Sequence, residues 1–248
     1  MPRVVAPEAL DSLPEDDAAA IGSRRDLRRI HRAMGTCGVL VRALRRMAPP
    51  RPGGAPLRLL ELGAGDGSLM LRVAAALGPR LPAVELTLLD RQRLVGPATV
   101  ASYAALGWRA TPCAMDVFDW AAAEGSDAPA PAGPAWDLIV CSLFLHHFEG
   151  AALGALLAAV EKRAAAFFAC EPRRAALALA GSHLVGALGA NAVTRADAVL
   201  SVHAGFRGRE LSALWPGGTA AWRLDERPAG LFGHGFAARR ADRAGDWP

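Results

Sequence analysis

The chain has 248 residues and a formal net charge of +4; 52% of its residues are hydrophobic and 21% are charged. This composition excludes a globally disordered chain, and the length fits one large domain or one domain with an extension. The 28 basic residues are dispersed against 24 acidic ones, which does not favour a nucleic-acid partner.

The cysteines and the first residues bear on the cellular compartment. Cys37, Cys113, Cys141 and Cys170 form no C-x-x-C pair, and two of them lie in apolar runs typical of strands. We therefore expect buried, reduced thiols rather than disulfides or metal ligands. The first residues, Met-Pro-Arg, begin no apolar run of the kind found in a secretory signal. Together these features predict a cytoplasmic protein.

The N-terminal part of the chain predicts a helical cap. Residues 1–22 are acidic and rich in alanine, and we expect them to be loosely ordered. From residue 23 to 48, apolar residues recur at helical spacing, with an interruption by Gly-Thr-Cys-Gly at 35–38. A stretch rich in proline and glycine at 49–54 follows. We expect the cap to end there, at residue 54.

The main domain, residues 55–248, alternates predicted strands and helices. Strands are expected at 57–62, 84–89, 109–114, 136–142 and 166–170, and helices at 68–77, 97–106 and 151–163. This repeated β-α-β order predicts a parallel sheet with helices on both faces. The remaining expectations are a Pro/Ala/Gly loop at 125–134, a mostly helical insertion at 173–215, and a terminal hairpin of 222–227 and 231–239 that turns at Pro228-Ala229-Gly230.

A charge-free stretch from residue 175 to 193 is long enough to span a bilayer. It contains Ser182, His183, Asn191 and three glycines. We therefore expect an apolar helix over a pocket and no membrane span.

One glycine-rich segment carries the strongest functional signal. It follows the first strand of the main domain, opens the next helix, and reads Glu61-Leu62-Gly63-Ala64-Gly65-Asp66-Gly67-Ser68. Glycines let the chain turn tightly and approach a ligand closely, and the helix N-terminus offers free N–H groups. A dinucleotide motif, G-x-G-x-x-G, would need glycine where Ser68 stands. The spacing is E-x-G-x-G-x-G instead.

Polar residues also follow the next three predicted strands. The second strand ends at Asp90-Arg91, where a carboxylate can accept both hydroxyls of a ribose. The third leads to Asp116-Val117, where the aspartate could equally cap a helix. The fourth runs through Cys141-Ser142 to His146-His147. Open α/β sheets bind ligands at the carboxyl ends of their strands, so these residues are expected beside the glycine-rich segment.

The ordered set over residues 57–148 resembles class I S-adenosylmethionine-dependent methyltransferases. At Glu171-Pro172, after the fifth strand, the chain is similar to methyltransferases that act on phenols and quinone precursors. The resemblance implies an α/β, Rossmann-like, doubly wound and mainly parallel seven-stranded sheet with a C-terminal antiparallel hairpin. It also implies S-adenosyl-L-methionine as cofactor, bound by Glu61, Gly63, Ala64, Gly65, Asp66, Gly67, Asp90, Arg91, Asp116, Val117, Cys141 and Ser142.

Methyl transfer to a hydroxyl also requires the loss of a proton. His146 and His147 are the candidate bases. Adjacent residues point in different directions, so we expect only one of them to face the pocket. That both are structural stays an open alternative, as does methylation of a carbon, which needs alignment alone. Catechol-type methyltransferases hold a metal with carboxylates and an asparagine at the ends of the fourth and fifth strands. Only Glu171 could serve there, so no metal is expected.

The insertion at 173–215 is apolar and is expected to form a lid over a small aromatic or apolar acceptor. We expect His183, Asn191, Arg195 and His203 to contact the acceptor. O-methylation of a phenolic or polyketide-like molecule is favoured. The alternatives are a methyltransferase acting on RNA or protein and a nucleotide-binding protein of another kind. The arginine-rich cap helices are the remaining argument for RNA. The sequence predicts no oligomeric state.

Overall fold

The computed structural model describes residues 1–49, 54–78, 81, 83–123, 135–218 and 220–241. The predicted loop at 125–134 and most of the predicted linker at 49–54 lie outside these residues. The helices are α1 Ala9–Ser12, α2 Ala18–Met34, α3 Thr36–Met47, α4 Ser68–Leu77, α5 Pro97–Ala105, α6 Val117–Ala122, α7 Gly150–Arg163, α8 Ala176–His183, α9 Ala192–Ala204 and α10 Glu210–Leu214. The strands are β1 Leu57–Leu62, β2 Val84–Asp90, β3 Trp108–Ala114, β4 Leu138–Ser142, β5 Ala166–Pro172, β6 Trp222–Ala229 and β7 Gly233–Arg240. Short 3-10 helices cover Leu145–His147 and Val185–Leu188.

The sheet has seven strands in the order β3-β2-β1-β4-β5-β7-β6. Strands β1 to β5 pair in parallel, and β7 runs antiparallel to both β5 and β6. This arrangement confirms the predicted Rossmann-like, mainly parallel sheet with its antiparallel terminal hairpin. The strand order reverses at β1 and β4, which is where open sheets of this kind bind ligands.

Two apolar layers hold the sheet. Alternate β1 side chains face opposite ways: Leu57 and Leu59 lie in one cluster with α3 and α4, and Leu60 and Leu62 lie in a second with α7. Both faces of a parallel sheet are covered, which explains why its strands are apolar throughout. The α3 helix of the predicted cap packs in the same core as the sheet.

Three predicted boundaries are wrong. Residues 1–22 are not loosely ordered: the backbone N–H of Val4 donates to His203, and Asp17 caps α2 by accepting from the N–H groups of Ala19 and Ala20. The hairpin continues through Pro228, and its turn lies at 230–232. Pro228 is tolerated because β6 is an edge strand.

The third wrong boundary concerns the charge-free stretch at 175–193. It is not one helix, because α8 ends at His183 and α9 begins at Ala192. Among the described residues, none of the helices has the length and apolar character needed to cross a membrane.

Candidate active site

A cavity of about 760 Å³ lies at the carboxyl ends of β1, β2 and β4. Its walls come from the glycine-rich loop, α2, the lid (residues 173–215) and the first residues of the chain. A volume of this size falls in the range of small-molecule sites, which is roughly 300–1,000 Å³. The cavity therefore has the dimensions of a ligand site at the switch point of the sheet.

The glycine-rich loop turns with left-handed backbone conformations. Gly63 has φ 67°, and a Cβ there would lie 2.4 Å from Cδ2 of Phe144. Gly65 has φ 54° and borders open space, since a Cβ there would meet nothing within 4 Å among the described residues. Its N–H donates to Oδ2 of Asp90 at 2.8 Å, which ties the loop to the end of β2. At these two glycines the loop thus presents its backbone to the cavity.

Among the buried polar atoms of the cavity wall that have no hydrogen-bond partner within the described residues, two lie near the glycine-rich loop: Oε2 of Glu61 and Oγ of Ser142. Burial and, after it, the nearby carboxylates of Asp90 and Asp66 together raise the pKa of Glu61 to about 8. A buried carboxyl without a donor is costly. A ligand that brought an ammonium or hydroxyl group would satisfy both atoms.

The acidic residues at the strand tips also line the cavity. Asp90 accepts from the N–H groups of Gly65 and Gln92. Asp116 caps α6 by accepting from Phe118 N–H at 2.7 Å, and its side chain is exposed. Val117 beside it is buried. Both predicted roles of Asp116, as a cap and as a ligand contact, are therefore compatible with its position.

The other predicted cofactor residues divide into two groups. Ala64, Asp66 and Arg91 lie in the cavity wall. Gly67 and Cys141 do not lie in the cavity wall. The Cys141 side chain points into the second apolar layer because side chains alternate along β4, and the carbonyl of Gly67 accepts from the Tyr103 hydroxyl.

Glu171, at the end of β5, organises the loop after β4. Its fully buried carboxylate accepts from the N–H groups of Phe144, Leu145 and His146 and pairs with Nδ1 of His146 at 2.9 Å. These donors hold the pKa of Glu171 below its usual range although burial opposes them. In the sequence, Glu171 stood out only through the family resemblance of Glu171-Pro172 and as a potential metal ligand. Its position directly after the fifth predicted strand was the feature that could have indicated its role.

Both histidines lie in the cavity wall, whereas only one was expected to face the cavity. Their ring centroids lie 4.2 Å apart in a short 3-10 helix. His146 is 2% exposed, and Nδ1 of His147 lies 3.0 Å from Oδ2 of Asp11. Burial opposes charge on His146, but the Glu171 and Glu8 carboxylates outweigh it and raise its pKa to about 9.

Glu8 and Asp11 belong to the N-terminal segment, residues 1–17, which forms one wall of the cavity. On one side Asp197 of α9 accepts from the N–H groups of Ala9 and Leu10. On the other side Asp11 forms an ion pair with Arg91, just beyond β2. The segment therefore joins the lid to the glycine-rich side of the cavity.

None of the four predicted acceptor contacts lies in the cavity wall. His183 and Arg195 are exposed, and Asn191 caps α9 while its side chain also bonds Ser23 and Ala19. The carbonyl of His203 anchors the N-terminal segment. The lid instead turns other side chains inward, with the polar Ser182, Thr194, Asp197 and Ser201 and the apolar Ala178, Val185, Leu188, Ala198 and Val202.

The α2 helix supplies a further histidine that lines the cavity, His31. Burial and, after it, the nearby charge of Arg72 lower its pKa to about 4, which favours the neutral ring at pH 7. Its Nδ1 has no partner among the described residues. Helical spacing placed His31 on the cap, but nothing in the sequence showed which way it faces.

Comparisons with known proteins agree with the fold. No protein-family model matches the sequence, and no curated protein matches it. Among solved structures, the plantazolicin methyltransferase BpumL in complex with SAH is 11% identical with a TM-score of 0.64, covering 94% of this chain and 93% of its own. A putative O-methyltransferase from Nostoc punctiforme PCC 73102 is 16% identical with a TM-score of 0.57, covering 96% and 64%.

A third solved structure is the magnesium protoporphyrin IX methyltransferase of Synechocystis PCC 6803 with bound SAH. It is 16% identical with a TM-score of 0.51, covering 94% of this chain and 91% of its own. At these identities the likeness establishes the fold, which is that of Rossmann-like methyltransferases.

Proposed function

We propose that this protein transfers a methyl group from S-adenosyl-L-methionine to a small, apolar or aromatic acceptor, with an oxygen as the favoured target. The observation that carries the proposal is the continuity of the cavity. It joins the glycine-rich loop and strand-tip carboxylates at one end to an apolar lid and two histidines at the other. One volume of about 760 Å³ can therefore hold a cofactor and an acceptor side by side.

The residues at the glycine-rich end fit the cofactor. Asp90 would accept from the ribose hydroxyls, and Asp116 with Val117 would border the adenine. Glu61 and Ser142 have buried atoms without partners, which the amino-acid end of the cofactor would satisfy. The cofactor brings an already activated methyl group, so the main work of the chain is alignment.

The apolar end fits an uncharged ring system. Lid residues and Phe144 surround it, while Glu8, His146 and His147 provide its polar edge. An acceptor hydroxyl at that edge would lie where its proton can be taken up. Because Glu8 stands 3.3 Å from Nε2 of His146, the acceptor would approach His147 or displace Glu8. Solved structures of this fold include the plantazolicin methyltransferase BpumL in complex with a triazolic desmethylPZN analog, and a magnesium protoporphyrin IX methyltransferase.

Ligand-dependent thermal unfolding tests the proposal. S-adenosylhomocysteine at about 100 times its Kd should stabilise the protein by about 2.7 kcal/mol, which corresponds to roughly 5–10 °C for a chain of this size. NAD at the same concentration should give no shift. Asp90→Ala should abolish the shift, whereas Glu85→Gln, on the same strand but outside the cavity wall, should retain it. Equal shifts with NAD, or an undiminished shift in Asp90→Ala, would refute the cofactor assignment.

Methyl transfer itself is tested with radiolabelled cofactor and a panel of phenolic acceptors. Label should enter an acceptor with the wild-type protein and fail to do so with Asp90→Ala. Label incorporated into RNA or protein and into no small molecule would contradict the proposed acceptor class.

A further inference from the structure

Three side chains from distant parts of the chain converge at one point of the cavity wall. Glu8, His146 and His147 each place a potential metal-ligand atom so that all three atoms lie within 4.8 Å of one another. Glu8 comes from the N-terminal segment and the histidines from the 3-10 helix after β4. Two imidazoles and one carboxylate form a donor set suited to divalent transition metals, and Zn²⁺ in catalytic sites uses this set.

Each histidine is oriented by a carboxylate on its other nitrogen. Nδ1 of His146 lies 2.9 Å from Glu171, and Nδ1 of His147 lies 3.0 Å from Asp11. Both rings thereby keep Nε2 as the remaining nitrogen. Carboxylates placed in this way fix the tautomer and the ring direction of metal-ligating histidines.

The contact between His146 and Glu8 is within hydrogen-bond distance but poorly aligned, and its length also fits two ligands of one metal ion. Nε2 of His146 is buried and lies 3.3 Å from Oε1 of Glu8, yet it makes no hydrogen bond of acceptable geometry to any described residue. Two ligands of a tetrahedral zinc ion with bonds near 2.1 Å are separated by about 3.4 Å. The distance between Nε2 and Oε1 is therefore compatible with both atoms binding one metal ion.

We propose that Glu8, His146 and His147 bind a divalent transition-metal ion, with Zn²⁺ as the best match to the donors. A fourth position would face the cavity, where open catalytic sites hold water or substrate. The site stands independently of methyl transfer. Its use, the stabilisation of negative charge on an acceptor oxygen, rests on the proposed function. The expectation of no metal considered only the ends of β4 and β5, and it missed the return of residue 8 to this point.

Metal titration of the full-length, tag-free protein tests the site. After removal of metals with a chelator and its exchange into chelator-free buffer, Co²⁺ should bind at one equivalent and give the visible absorption of low-symmetry coordination. Zn²⁺ should displace it. Glu8→Ala and His147→Ala should each weaken binding at least about tenfold, and Asp11→Asn, which only orients His147, by roughly 10–100-fold. His183→Ala, at an exposed histidine outside the cavity, is the matched control.

Two results would overturn the site. One is that a folded wild-type protein binds neither Co²⁺ nor Zn²⁺ stoichiometrically. His146 and His147 would then only form ion pairs with the neighbouring carboxylates. The other is unchanged affinity in Glu8→Ala and His147→Ala, which would place the metal elsewhere. Circular dichroism of each variant shows that a loss of binding is not a loss of fold. If the protein binds metal but S-adenosylhomocysteine does not raise its unfolding temperature, the proposed function is contradicted and the metal site is not. If S-adenosylhomocysteine raises the unfolding temperature but no metal binds, the metal site is contradicted and the proposed function is not.

Discussion

Glu61 makes the stability of the ligand-free protein depend on pH. Its side chain is 3% exposed, and its pKa is raised from 4.5 to about 8 by burial and by Asp90 and Asp66. Between these two pH values the folded protein holds a proton on Glu61 that the unfolded chain has lost. The free energy of unfolding therefore falls as the pH rises through this window, by about 1.4 kcal/mol per pH unit.

The substitution Glu61→Gln removes the titrating group with little change of shape. Between pH 5 and pH 8 the wild-type protein should lose roughly 3–4 kcal/mol more unfolding free energy than Glu61→Gln does, after allowing for partial titration at both ends of the window. Urea unfolding at several pH values, without ligand, measures this difference. Glu85→Gln, at a carboxylate that is 45% exposed on β2, should follow the wild-type curve. Parallel curves for wild type and Glu61→Gln would refute the reasoning.

Two further substitutions test the loops that shape the cavity. Glu171→Gln removes the buried charge that pairs with His146. Because the histidine then loses its counter-charge, the substitution should lower the free energy of unfolding by about 3–5 kcal/mol. A decrease below about 1 kcal/mol in chemical denaturation would contradict this. Gly63→Ala places a Cβ 2.4 Å from Phe144 at a backbone φ of 67°, and it should cost at least about 1–2 kcal/mol and weaken S-adenosylhomocysteine binding. Normal stability and affinity in calorimetry would show that the Phe144 ring moves freely.

The sheet could be predicted because its signals are local. Each parallel strand is an apolar run followed by a turn and a helix. Few orders of the strands in the sheet satisfy both this chain order and the rule that crossovers are right-handed. The glycine-rich end of the cavity was accessible for the same reason. Glu61, Gly63 and Gly65 lie within five residues of chain, and Asp90 lies at the tip of the adjoining strand. The sequence did not show the side-chain direction of Cys141, which lies in the second apolar layer.

The acceptor end could not be predicted because it depends on packing between distant segments. The α8 helix is weakly amphipathic, so the sequence does not show that Ser182 faces the cavity while His183 faces solvent. The N-terminal segment carries no periodic pattern. Its order comes from partners nearly 190 residues away, chiefly Asp197 accepting from the backbone of Ala9 and Leu10. The polar residues that were chosen for their chemistry alone therefore lie outside the cavity wall.

The charges around His146 and His147 fit either protons or a divalent metal ion on the two rings, so geometry has to distinguish these two states. Glu8, Asp11 and Glu171 all have lowered pKa values, despite burial, because His146 and His147 lie beside them. Three carboxylates facing two imidazoles are balanced to the same extent by two protons or by one divalent cation. Electrostatics alone cannot separate these states. The 3.3 Å contact between Nε2 of His146 and Oε1 of Glu8 is at the long end of the hydrogen-bond range, and Nε2 has no well-directed acceptor among the described residues. A divalent cation needs ligand atoms close to one another, and Glu8 and the two histidines place theirs within 4.8 Å of one another.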